Sequence, residues 1–141
     1  MSRLTKRFLE IFFFAGCACA SAAIPAAAQN IDCNKASSTV EINFCADKDY
    51  QAADKALNAA YAMALKYVRS RDLEKPYDAK SFEAALKNAQ RAWVAYRDAD
   101  CKDLVAQEWS GGSGTTSAIL GCMTEKTMQR TKDLKERFTD R

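Results

Sequence analysis

The segment from Gln90 to Cys101 constrains the fold of this chain most, because it joins a strong helix signal to a cysteine. Four residues within or directly before this segment recur at helical spacing: Ala89, Trp93, Tyr96 and Asp100. Steps of four, three and four place two aromatic rings and a carboxylate on one helix face, which we expect to be buried. Arg97 is expected at the edge of that face. The segment therefore predicts a helix with a partly polar interior seam that ends at a half-cystine.

The beginning of the chain has the features of an export signal. Basic residues at positions 3, 6 and 7 precede a largely apolar run over 8–23, and small residues at 26–28 offer a cleavage site. Residues 1–28 are therefore predicted to be a signal peptide, and 29–141 a single periplasmic or secreted domain. The apolar run is short, Glu10 interrupts it and Pro25 follows closely after it, so no membrane span is expected. A second interpretation takes Cys17 as the lipidated residue of a bacterial lipoprotein.

Four cysteines remain after the predicted cleavage: Cys33, Cys45, Cys101 and Cys122. In a small exported domain this number predicts two disulfides, for which three pairings are possible. Pairing each cysteine with its neighbour in sequence is favoured, because each such pair flanks a turn-rich stretch and closes locally. A zinc site is not expected, since the cysteines are widely spaced and the chain has no histidine.

Apolar spacing predicts three main helices. The first covers 49–71 with an aspartate N-cap at 47 or 49, the second runs from Asp78 to about Val105, and Pro76 lies in the link between them. The first two helices should be antiparallel because this link is short. A glycine-rich loop over 110–116 precedes the third helix, which begins at Thr115 or Thr116 and ends near Phe138.

A short additional helix is expected before these three. Ser38 or Thr39 can cap it, and it should end near Cys45. Strand signals are absent from the sequence. The predicted fold class is therefore all-α: a small disulfide-bonded antiparallel bundle of three main helices plus a short N-terminal helix.

The composition excludes several functions. Without histidine, neither a Ser-His-Asp nor a Cys-His site can form. Asp98 and Asp100 point in different directions on a helix, so a carboxylate-based catalytic pair is not expected there, and Glu41 is the other acidic candidate. The glycine-rich loop lacks the lysine and strand of a phosphate-binding loop. We therefore predict a protein that is not an enzyme and needs no cofactor.

The charge of the chain gives no indication of nucleic-acid binding. Residues 1–28 carry three basic residues and one acidic residue, so the formal charge falls from +3 for the whole chain to +1 for the predicted domain. Nucleic-acid binding would require a dense basic patch.

The polar seam allows two interpretations. In the first, the arginines of the second and third helices pair with carboxylates in a structural salt-bridge network formed by Glu41, Arg97, Asp98 and Arg130. In the second, the seam is partly exposed and binds a partner, because Trp, Tyr and Arg dominate binding hot spots. The candidate binding residues are Trp93, Tyr96 and Arg97, together with Trp109 and Ser113 beside or within the glycine-rich loop.

Several short motifs together resemble the LprI-like lysozyme inhibitor family. They are Asp32-Cys33, Glu41 with Phe44-Cys45, the block from Gln90-Arg91-Ala92-Trp93 to Arg97-Asp98 with Cys101, and the glycine-rich loop leading to Cys122 and Arg130. The resemblance implies a helical, disulfide-bonded envelope protein and, as for some relatives, inhibition of host-type lysozyme.

The resemblance also suggests how such a domain would act. An inhibitor must fill the cleft that holds the two catalytic carboxyl groups of lysozyme. The loop over 109–116 is the best candidate for this, with Lys102 and Lys126 able to approach acidic groups. The implied partner is lysozyme or another envelope protein. The alternative is a structural, adaptor or stress-response module of the periplasm without inhibitory activity.

Overall fold

A computed structural model describes residues 31–139, and these residues form helices and connecting loops. The helical elements are α1 (Thr39–Arg69), α2 (Ala79–Asp98), a π-helical segment (Ala99–Leu104), α3 (Val105–Glu108) and α4 (Thr115–Arg137). No strand occurs within 31–139, which confirms the predicted all-α class. The predicted leader, including Cys17, lies outside the described residues.

Helix α1 is one continuous helix of 31 residues, so the predicted separate N-terminal helix is wrong. The start at Ser38 is as expected: its hydroxyl accepts a hydrogen bond from the Glu41 backbone N–H at 3.3 Å. In return the Glu41 carboxylate accepts from the Ser38 backbone N–H at 3.0 Å, which completes a capping box. Between Cys45 and Asp49 there is neither glycine nor proline, so nothing ends the helix there.

The bundle runs up, down and up. Arg69 near the end of α1 bonds to Glu83 near the start of α2, so these two helices are antiparallel as predicted. The C-terminal ends of α1 and α4 lie together, since the rings of Tyr67 and Phe138 are 5.8 Å apart. Helix α4 is therefore parallel to α1.

The core is centred on the α1–α4 interface. Small side chains let these helices approach closely, because three of the buried α1 residues are alanines. The buried α1 residues are Ala53, Leu57, Ala60, Ala64 and Val68. Those of α4 are Met123, Thr127, Thr131 and Leu134. Helix α2 contributes Leu86 to this core and leaves part of its flank against α4 open.

The buried face of α2 differs from the predicted one. Arg97 is only 6% exposed, whereas Tyr96, expected in the interior, is 57% exposed and Ala89 lies at the surface. The physical reason is Cys101, which is fully buried in its disulfide to α4. A residue four positions earlier shares the face of Cys101, so Arg97 is turned inward.

The Arg69–Glu83 pair makes a prediction about acid stability. Hydrogen bonds from Arg69 and Lys87 lower the pKa of Glu83 from 4.5 to about 2. This pair therefore stabilises the fold above pH 4.5, and the contribution is lost as the pH falls from 4.5 towards 2. As the pH falls from 4.5 to about 2, we expect the free energy of unfolding of Glu83→Gln to decrease less than that of the parent. Denaturant unfolding at several pH values measures this difference. The matched control is Glu125→Gln at an exposed position, which should follow the parent curve.

Candidate functional site

Both disulfides lie towards the same end of the bundle. Cys33 is joined to Cys45, with the Cα atoms 5.6 Å apart, which holds the entering chain against the first turns of α1. Cys101 is joined to Cys122, with the Cα atoms 5.5 Å apart, which fixes the π-helical segment to α4. Both favoured pairings are thus confirmed. We call this region, formed by the N-terminal parts of α1 and α4, the π-helical segment and the loop 109–114, the loop end.

An open groove lies at the loop end between α1 and α4. Val40 and Phe44 form one side and Ile119 and Leu120 the other, with Lys102 at the edge. Val40 is 74% exposed, and Phe44 is also exposed. Exposed apolar side chains grouped in this way make the groove a candidate interaction surface. The sequence interpretation missed these four apolar residues, although their apolar character next to two helix starts was visible.

Two buried polar atoms beside this groove have no hydrogen-bond partner within the described part of the chain. They are the Asn43 side-chain oxygen and the Thr115 hydroxyl. Asn43 lines the groove, and Thr115 precedes Thr116, which also lines it. Buried polar groups are normally paired, so these two atoms are exceptions among the described residues; because they are buried, they are not surface contacts for a partner.

The loop 109–114 presents an aromatic side chain held by a tight turn. Ser110 and Gly111 both have positive φ, at 51° and 68°, and the Gly112 backbone N–H donates to the Trp109 carbonyl at 3.0 Å. A positive φ at a residue other than glycine is strained, and such strain is concentrated at functional sites. Trp109 is 50% exposed and Ser113 is exposed, so both predicted loop residues are accessible.

Gly114 sets the position of the Trp109 ring. A Cβ atom at Gly114 would lie 2.5 Å from Cζ3 of that ring, so Gly114→Ala should displace the indole. We expect a shift of the tryptophan emission maximum in this variant. Gly121→Ala is the matched control, because nothing lies within 4 Å of its added methyl group. That control should leave the emission unchanged and gain up to about 1 kcal/mol of stability from the helix.

Arg97 is engaged within its own chain. Its Nε and Nη2 atoms donate to Asp98 at 2.9 and 2.7 Å, and the guanidinium lies 5.2 Å from the Trp93 ring and 5.7 Å from the Tyr50 ring. Burial raises the pKa of Asp98, but hydrogen bonds from Lys102 and Arg97 outweigh it and hold the pKa below its usual value. The buried guanidinium is thus held by the Asp98 carboxylate, by a longer ion pair from Nη1 to Asp54 of α1 at 4.0 Å, and by two aromatic faces.

Glu41 and Arg130, the other two residues of the predicted salt-bridge network, do not bond to Arg97 or Asp98 in the described part of the chain. Glu41 is in the α1 capping box, where hydrogen bonds from Ser38 and Ser37 lower its pKa, and it is not joined to Arg97 or Arg130. Arg130 donates to the Gln90 side chain at 3.0 Å, and its guanidinium lies 5.9 Å from the Trp93 ring. Trp93 is therefore flanked by two arginines, while Glu41 has a local role.

Tyr96 belongs to a separate surface cluster. Lys126 lies 4.9 Å from the centre of its ring and forms an ion pair with Asp100 at 2.9 Å. Hydrogen bonds to Asp100 and Tyr96 raise the pKa of Lys126. Lys126 and Lys102 are thus both already paired, the latter with Asp98.

Among the described residues, the loop end contains one cluster of potential metal ligands. Asp100, Cys101 and Cys122 place potential ligand atoms within 4.8 Å of one another. Both sulfurs are joined in a disulfide, so they do not act as thiolate ligands.

Among the described helices, none has the length and apolar character needed to cross a bilayer.

Comparison with known proteins gives one family. The model of the family described as "Lysozyme inhibitor LprI" matches residues 32–134. An uncharacterized protein of Rhizobium meliloti, R02472, is 42% identical over 121 residues, which cover 84% of this chain and 86% of the relative. No solved structure matches significantly.

Two further relatives are more distant. The uncharacterized protein YecT of Escherichia coli is 31% identical over 99 residues, covering 66% of this chain and 60% of YecT. Lipoprotein LprI of Mycobacterium tuberculosis is 34% identical over 79 residues, covering 56% of this chain and 34% of that protein. The match therefore spans about a third of the mycobacterial lipoprotein.

Proposed function

Because this chain belongs to the LprI lysozyme inhibitor family, we propose that it is an exported protein that binds lysozyme through the loop end and inhibits it. The observation that carries the proposal is the convergence of exposed apolar residues and a strained loop at one end of the bundle. Two disulfides support a location outside the cytoplasm. The mycobacterial relative is named a lipoprotein.

The loop end suits the occlusion of an enzyme cleft. Trp109 supplies a large rigid contact surface, and aromatic residues of this kind carry much of the energy of protein interfaces. Ser113 and the loop backbone supply hydrogen-bond donors that can approach the carboxyl groups of a glycosidase cleft. The groove beside the loop supplies the apolar contact area. Inhibition in this scheme is steric and requires no chemistry from this chain.

Export in this proposal depends on the first 28 residues. Their basic start, apolar run and small-residue site act as a signal peptide, and residues 29–141 form the single inhibitory domain of the periplasm or the secreted fraction. N-terminal sequencing of the exported protein should begin at Gln29. A lipidated Cys17 at the N-terminus would instead show that the chain is processed as a lipoprotein.

A cell-wall lysis assay tests the inhibition. Purified residues 29–141 should slow the loss of turbidity caused by an animal lysozyme in proportion to the inhibitor concentration. Trp109→Ala should weaken inhibition at least tenfold, because a hot-spot aromatic contributes about 2 kcal/mol or more. Tyr77→Ala removes an exposed aromatic near the α1–α2 link, away from the loop end, and should leave inhibition unchanged.

The same assay distinguishes the alternative function. Unchanged lysis at a large molar excess of the parent protein would contradict inhibition and favour a structural or adaptor module of the envelope. Equal losses in Trp109→Ala and Tyr77→Ala would contradict the assignment of the loop end as the binding surface.

A further inference from the structure

The contacts of Arg97 mark one level along the bundle. Its Nη1 atom lies 4.0 Å from the Asp54 carboxylate of α1 and donates to the Thr127 hydroxyl of α4 at 3.4 Å. One residue from each of the three long helices therefore lies at this level. We call the part of the bundle on the side of the loop end the loop half, and the part on the side of the α1–α2 link the link half.

The two halves have opposite net charge. The loop half, residues 31–54 and 97–127, contains ten carboxylates and five cations, which gives a formal charge of −5. The link half, residues 55–96 and 128–139, contains six carboxylates and twelve cations, which gives a formal charge of +6. The nearly neutral total is therefore the sum of two large and opposite charges, and the negative one includes the loop end.

Most cations of the loop half are paired within the chain. Its short ion pairs are Lys35–Asp32, Arg97–Asp98, Lys102–Asp98 and Lys126–Asp100. Within 31–139, six carboxylates of this half have no ion pair: Glu41, Asp47, Asp49, Asp103, Glu108 and Glu125. The negative charge in excess is therefore available to a partner.

The helix macrodipole does not account for most of these six carboxylates. Glu41 completes the capping box of α1, whereas Asp47 and Asp49 lie beyond the second turn of that helix. The first turn of α4 contains no acidic residue. A carboxylate is stabilised by the dipole mainly within the first turn of a helix, so Glu41 alone of the six has that local role.

Three of the acidic residues lie beside the contact surface of the loop end. Asp47 lines the apolar groove, Glu108 directly precedes Trp109, and Asp103 belongs to the π-helical segment. Asp103 and Glu108 are exposed. The loop end thus has an apolar and aromatic centre with acidic residues at its rim, and a negative rim is complementary to a partner with a positive surface.

We infer that the lysozyme bound by the loop end is of the strongly basic type, and that the charge separation of the bundle steers it to this end. The inference rests on the proposed function and specifies the charge class of the partner. A basic protein is attracted by the loop half and repelled by the link half, so the encounter is oriented before contact. Apolar groups of the groove and Trp109 then supply the short-range contacts.

Association kinetics at different salt concentrations test this inference. The probe is a strongly basic animal lysozyme with a fluorescent label, mixed with residues 29–141 in a stopped-flow instrument. The Debye length falls from roughly 30 Å at about 10 mM salt to roughly 3 Å at about 1 M. Over this range we expect the association rate constant to fall about tenfold or more. The dissociation rate constant should change much less, because steering acts on the encounter.

Two double variants with the same net charge locate the effect. Asp103→Asn with Glu108→Gln neutralises two carboxylates at the loop end, and should slow association about threefold or more at low salt and reduce its salt dependence. The matched control is Asp72→Asn with Glu74→Gln, which neutralises two carboxylates of the α1–α2 link. All four side chains are exposed, so both variants should keep the circular dichroism of the parent. The control should associate as fast as the parent or faster.

The outcomes distinguish this inference from the proposed function. Inhibition with an association rate that neither salt nor the loop-end double variant changes would overturn the inference and leave the proposed function standing. Equal slowing in both double variants would also overturn it, because the position of the charges would then have no effect. Salt-sensitive association without inhibition would support the inference and contradict the proposed function. No association of the folded parent at low salt would contradict both.

Discussion

Replacing Cys101 and Cys122 together by serine is expected to lower the free energy of unfolding by about 3 kcal/mol. The bond closes a loop of 21 residues, and the loss of chain entropy in the unfolded state accounts for this magnitude. The same bond fixes the π-helical segment and the loop 109–114 against α4, so we also expect the loop end to lose order. Denaturant unfolding gives the stability, and amide hydrogen exchange gives the local effect.

The second disulfide provides the comparison. Cys33 and Cys45 close a loop of 12 residues near the N-terminus, and their double serine variant should lose slightly less stability, because the entropic term depends weakly on loop length. Its effect on hydrogen exchange should be confined to the first turns of α1. If the variant without Cys33–Cys45 loses amide protection over the loop 109–114, that disulfide is not confined to ordering the start of α1. If the variant without Cys101–Cys122 keeps this protection, that disulfide does not order the loop end.

Truncation of Arg97 is the second change with a large expected effect. Arg97→Ala should lower the free energy of unfolding by about 3 kcal/mol, because it removes charge-assisted bonds to Asp98, two aromatic contacts and buried aliphatic volume. Arg97→Met restores much of the volume, so we expect it to recover about 1 kcal/mol of that loss. The measurement is denaturant unfolding at neutral pH.

The control for Arg97 is another arginine on the same helix. Arg91 is exposed, so Arg91→Ala should change stability by less than about 0.5 kcal/mol. A folded Arg97→Ala protein with parent stability that has lost lysozyme inhibition would assign Arg97 to the binding surface instead of the interior.

Much of the fold could be predicted from local signals. Ser38 and Asp78 are good N-caps, and both begin helices here. The disulfide pairing followed from the closeness of the cysteines in sequence. The continuity of α1 was missed because a serine cap predicts where a helix starts, while its end depends on a breaker that is absent after Cys45.

The orientation of α2 could not be predicted from spacing alone. Tyr96 and Arg97 are adjacent, and an amphipathic pattern with several polar residues allows either to face inward. The disulfide of Cys101 to Cys122 decides between them, and it is a contact between residues 21 positions apart. The interior position of Arg97 is therefore a tertiary effect that overrides the preference for aromatic residues inside.

The candidate site was predicted only in part. Trp109 and Ser113 were identified because glycine-rich loops protrude, and the structure places both at the surface. The groove beside them combines Phe44 from α1 with Leu120 from α4. These residues are far apart in sequence, so their shared surface could not be predicted without knowing that α1 and α4 pack in parallel.

We propose that the loop end occupies the substrate cleft of lysozyme. The most direct test is the binding of residues 29–141 to an animal lysozyme, measured with and without a saturating chitin trisaccharide in the cleft. We predict that the trisaccharide abolishes binding of the parent protein, and that Trp109→Ala weakens binding when the cleft is empty. Equal affinity with the cleft empty and filled, or no binding in either state, would contradict the claim.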